Sequence, residues 1–86
     1  MLPARENEIC DASWELFDSI LSIGTELSNT EYELCNIHNK NEFDALSSIL
    51  VEKRLFHRIE TDDGYLLKLT IDGSLVSYKR RFLVQD

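Results

Sequence analysis

Asn39 to Tyr65, NKNEFDALSSILVEKRLFHRIETDDGY, holds a helical and an extended pattern end to end, and the point where one replaces the other decides the fold. Phe43, Leu46 and Leu50, joined by Ile49, recur at the spacing of one helical face, while Asp44, Ser47, Ser48, Glu52 and Lys53 fall largely on the other. Asn39 can accept a bond from a free first-turn amide, and Glu42 three residues later can reach back to it. Asn41 is a rival cap, so the helix is expected to begin between Lys40 and Glu42. After Leu55 the texture changes to Phe56-His57-Arg58-Ile59-Glu60. Asp62-Asp63-Gly64 then supplies a tight turn that needs glycine at positive φ, and Tyr65, Leu67 and Leu69 alternate as a returning strand.

The flanking chain extends the pattern. Ile9, Ser13, Leu16, Phe17, Ile20 and Leu21 keep to one stripe, with Trp14 at its edge, which predicts a first helix from about Glu6 to Ile23 ended by Gly24. Thr25-Glu26-Leu27 suits a short strand laid against the hairpin. Ser28-Asn29-Thr30-Glu31 reads as a capping box opening a second helix through about His38, with Leu34, Cys35 and His38 inward and Tyr32 nearby. Asn36 to Asn41 is then a turn, in which asparagine tolerates a left-handed backbone. The end of the chain admits two readings. Asp72-Gly73 could close a second hairpin, or Asp72 could precede a helix in which Leu75, Val76, Lys79, Phe82 and Leu83 share a side.

The residues Leu46-Ser-Ser-Ile-Leu50-Val-Glu-Lys-Arg-Leu55-Phe56-His-Arg58-Ile, then Asp63-Gly64-Tyr65, Leu69-Thr70 and Gly73, resemble the winged-helix variant of the helix-turn-helix found in many small bacterial and archaeal transcriptional regulators. The likeness spans roughly residues 20–83. It implies an α+β winged helix-turn-helix with three helices, a β-hairpin wing and a short C-terminal helix, in one domain over residues 1–86. This expectation and the 75/76/82/83 spacing favour the helical reading of residues 72–84. Arg54 departs from the pattern, standing where the family usually has a glycine to end its recognition helix, so a different helix ending is expected here.

The resemblance further implies a DNA-binding regulator. Lys40, Asn41, Ser47 and Ser48 on the third helix would face bases or phosphates, with Arg58 and Tyr65 on the wing beside them. Charge argues the other way. The net charge of −7 lies wholly in residues 1–38, residues 39–86 being neutral, and the wing tip is Asp62-Asp63. The usual basic footprint is missing. The alternative is a protein-interaction module, an accessory factor or inhibitor, whose acidic face of Glu8, Asp11, Glu15 and Asp18 meets a basic partner. Homodimerisation through the first and last helices fits either reading.

Other classes find little support. Three widely spaced glycines do not make a phosphate-binding loop, and neither cysteine nor histidine sits in a context suited to catalysis. Cys35 and His38 are one helical turn apart, only half of a zinc site. The expectation is a chain with no enzymatic activity, cofactor or metal. With no run of apolar residues long enough for a membrane span and no basic, apolar leader, a cytoplasmic location is expected.

Overall fold

The computed structural model describes residues 9–82. Helix α1 (Asp11–Ile23) is followed by strand β1 (Glu26–Ser28), a 3-10 segment (Asn29–Cys35), helix α2 (Lys40–Glu52), strands β2 (Phe56–Thr61) and β3 (Gly64–Leu69), and helix α3 (Ile71–Phe82). The class is α+β, with the strands in one antiparallel sheet of order β1-β3-β2. Leu67 on the central strand stands opposite Leu27 on one side and Arg58 on the other. Thr25 extends the β1 pairing by accepting from the Leu69 amide at 2.8 Å.

The first helix is shorter than its apolar stripe suggests. Cys10 has an extended backbone and caps α1, so the helix starts at Asp11; Glu6 to Glu8 lie outside the described residues. Leu16, Phe17 and Ile20 are buried as the stripe requires, and Ser13, small enough for close approach, is buried with them. Gly24 is the C-cap, its amide donating to the Ile20 carbonyl.

The stretch after β1 differs from expectation in kind. Ser28 does cap it, but its hydroxyl accepts from the Thr30 amide, and Glu31 has a non-helical backbone that kinks the segment. The tighter 3-10 winding rotates the following side chains away from α-helical phase. Cys35 stays inward, whereas Leu34 and His38 are exposed and Ile37 fills the core instead. Asn36 ends the segment at φ 61, the left-handed conformation expected of the turn.

Both ends of α2 are set by hydrogen bonds. Asn39 accepts from the Asn41 amide at 2.8 Å and starts the helix at Lys40. At the other end Leu55 donates to the Leu50 carbonyl and Arg54 to that of Val51, each at 3.0 Å. These are the two bonds of a Schellman cap, sealed by the buried side chains of Leu50 and Leu55. Arg54 occupies its left-handed position at φ 65, so the helix ends as it would with glycine, and the expectation of a different ending is corrected.

The hairpin turns through Asp62-Asp63, with Thr61 opposite Gly64. Gly64 has φ +155, and a Cβ there would collide with the Asn29 side chain. Asn29 is itself buried and accepts from the Tyr65 amide at 3.0 Å, fastening the 3-10 segment to the start of β3. Tyr65 and Leu67 are buried and Leu69 is half-buried, as their alternation requires.

After β3 the described residues form a helix, not a second hairpin. Its cap is Thr70, not Asp72: the Thr70 hydroxyl accepts from the Gly73 amide at 2.8 Å and donates to the Arg54 carbonyl at 2.6 Å. Gly73 lies so close to the Leu55 carbonyl oxygen that a Cβ would overlap it. This approach fixes the rotation of α3, turning Val76 inward and leaving Leu75 and Phe82 exposed; Leu83 lies outside the described residues. The expected shared face is therefore split. Arg80 anchors the far end, 2.8 Å from Asp18 and with its guanidinium 4.2 Å from the centre of the Trp14 ring.

Candidate nucleic-acid and partner interface

Because Phe43 and Leu50 are buried, the opposite side of α2 is set toward solvent. Asn41, Ala45, Ser48 and Glu52 follow one another there at helical steps, all exposed, with Lys40 exposed at the N-terminal end. Short polar side chains and an alanine leave this surface low, so another molecule can come close to it. Asp44 and Glu42 flank it with negative charge, Asp44 half-buried and Glu42 exposed.

Ser47 does not belong to this surface. Only 2 % of it is exposed, and its hydroxyl is 3.1 Å from the Asp44 carbonyl and 2.9 Å from the Tyr65 hydroxyl. Tyr65 is also buried and donates to Asp44 Oδ1 at 2.5 Å. Ser47 and Tyr65 are thus a polar tie between α2 and β3 and are removed from any set of direct contacts. Burial first, then the bond to the Asp44 carboxylate, pushes the Tyr65 hydroxyl up to about 12.

On the hairpin Arg58 follows Phe56 on the sheet face that carries Tyr65, and its guanidinium lies 4.0 Å from the centre of the Tyr65 ring. Its Nε is 2.7 Å from Glu60 Oε2, but both side chains are largely exposed, so the pair is weak, worth about 0–1 kcal/mol, and opens readily. His57, Ile59 and the other residues of β2 after Phe56 are exposed as well.

A second surface lies where α1 meets the start of α2. Leu16, Ile37 and Leu46 line a groove of about 430 Å³ that also carries Glu15, Asp18 and Glu42. Asp11, Glu15 and Asp18 are all exposed at helical spacing, Asp18 held by Arg80, while Glu8 lies outside the described residues. The contribution of Glu42 from a different helix is legible only in three dimensions.

Cys10 and Cys35 are free thiols. A hydrogen bond with Ser13, at 3.3 Å, lowers the exposed Cys10 from its ordinary value, and burial raises Cys35. Among the described residues no group of three or more histidine, cysteine or acidic side chains is arranged to hold a metal ion, and no helix is long and apolar enough to cross a membrane.

No family model, curated protein or solved structure matches this chain.

Proposed function

We propose that the chain is a winged-helix domain that acts as a small, non-enzymatic DNA-binding regulator. In this reading α2 is the recognition helix and the β2–β3 hairpin is the wing. The order helix, strand, short helical turn, helix, hairpin, helix supports the fold assignment, as does the addition of β1 to the hairpin's central strand. The observation that carries the functional reading is the exposed row of Asn41, Ala45 and Ser48, with Lys40 at its start. Asn41 and Ser48 supply donors and acceptors suited to base edges, and Ala45 admits close approach. Lys40 and Arg58 serve phosphates, Arg58 by leaving its weak pair with Glu60.

With so few cations, binding is modest and its logarithm falls with log salt at a slope of about −3 or shallower. Titration of a labelled duplex from the chain's own promoter region at low salt should give saturable binding, weakened about tenfold or more by N41A and by K40A. Absence of binding to any duplex at low salt overturns the proposal.

A second reading, a protein-interaction module with a basic partner, is favoured by the groove that brings Glu15, Asp18 and Glu42 together from two helices. Reversing Glu15 and Glu42 to lysine should then abolish partner capture, and unchanged capture would count against this reading.

A further inference from the structure

Helix α3 turns Val76 and Gly73 inward and leaves a continuous apolar row on the outside. Ile71, Leu75, Tyr78 and Phe82 are exposed by 82 %, 57 %, 55 % and 63 %, at steps of four, three and four residues. That is the spacing of a helix–helix seam, here facing solvent. We propose that a second copy of this chain covers it, the two α3 helices packing antiparallel about a two-fold axis.

The row reads the same in both directions about its midpoint between Val76 and Ser77. An antiparallel partner therefore sets Ile71 against the partner's Phe82 and Leu75 against the partner's Tyr78, large against smaller at every level, as an isologous contact requires. Charge selects the same orientation. In an antiparallel pair, side chains on one flank of the seam meet the same flank of the partner, which places Asp72 beside the partner's Lys79. A parallel pair would instead bring together two copies of Lys79-Arg80-Arg81.

Shape agrees as well. Ile71 stands on the rim of a groove of about 550 Å³ walled by Val51, Phe56 and Arg54, and the antiparallel arrangement delivers the partner's Phe82 to its mouth. The four side chains leave on the order of 500 Å² open per copy, or about 1,000 Å² per pair, enough for a specific contact at the small end of the range. This inference is independent of whether α2 meets DNA.

Sedimentation of the full chain at about 100 µM should give the mass of two chains, and L75E should weaken self-association at least about 30-fold with an unchanged circular dichroism spectrum. Y78E serves as a second variant should L75E lose its fold. Orientation is read by mixing I71C and F82C chains, both in a C10S background, under oxidation: the mixed disulfide should dominate over either self-disulfide. A one-chain mass for the wild type, a dimer unaffected by both glutamate variants, or dominant I71C self-crosslinking would each overturn the proposal.

Discussion

The Tyr65 hydroxyl donates to Asp44 Oδ1 across 2.5 Å, joining the central strand to α2 through a bond that exists only while the phenol keeps its proton. The folded chain holds that proton to about pH 12, whereas the unfolded chain releases it near 10. The stabilisation is therefore complete below pH 10 and lost as pH rises toward 12, by on the order of 2 to 3 kcal/mol. Urea unfolding of wild type and Y65F across this range should show their stability difference shrinking by that amount. A difference constant with pH would mean that the phenol titrates normally.

Two glycine-related positions should respond in opposite directions. Arg54 sits at φ 65, a conformation that glycine adopts without penalty, so R54G should stabilise by about 1 kcal/mol. Gly73 admits no Cβ beside the Leu55 carbonyl, so G73A should destabilise by about 2 kcal/mol or more and displace α3. Chemical denaturation midpoints read both.

Asn29 is the hydrogen-bond acceptor for the buried Tyr65 amide. N29A leaves that amide unpaired at a cost of about 1 to 3 kcal/mol. Amide exchange at Tyr65 should accelerate in the variant more than exchange within α1; uniform acceleration would mark a global loss instead.

Arg80 holds α3 to α1 through Asp18 and the face of Trp14, the sole tryptophan. R80K keeps the charge but loses the planar stacking, so Trp14 emission should shift while stability falls by only about 0.5 to 1 kcal/mol. D18N should leave the emission nearly unchanged.

The hairpin, β1 and the start of α2 are legible in the sequence because each has a local cause: alternation, an asparagine cap, a glycine at positive φ; the end of α2 is not, because Arg54 takes the left-handed position usually left to glycine. What the sequence misplaces depends on partners far along the chain or on a kink that no periodicity announces. Ser47 looks like a surface residue until Tyr65, eighteen positions later, satisfies its hydroxyl. Leu34 and His38 change places with Ile37 because a kink at Glu31 alters the winding. The rotation of α3 is ambiguous because apolar side chains occur on both sides of it; the Gly73 and Val76 spacing marks the inward face, but only contact with Leu55 makes that decisive. Of the proposed DNA contacts, Lys40, Asn41, Ser48 and Arg58 are at the surface, and the hidden pair, Ser47 and Tyr65, is the one whose hydroxyls found each other.

Strand β2 is the long outer edge of the sheet, and after Phe56 each of its residues is exposed. Arg58 and Glu60 crowd one side of that rim with paired charge, and the turn beyond it is Asp62-Asp63. The opposite rim, β1, is only three residues long. An incoming strand thus meets either charge or too short a template, which protects the fold against runaway fibre-like stacking.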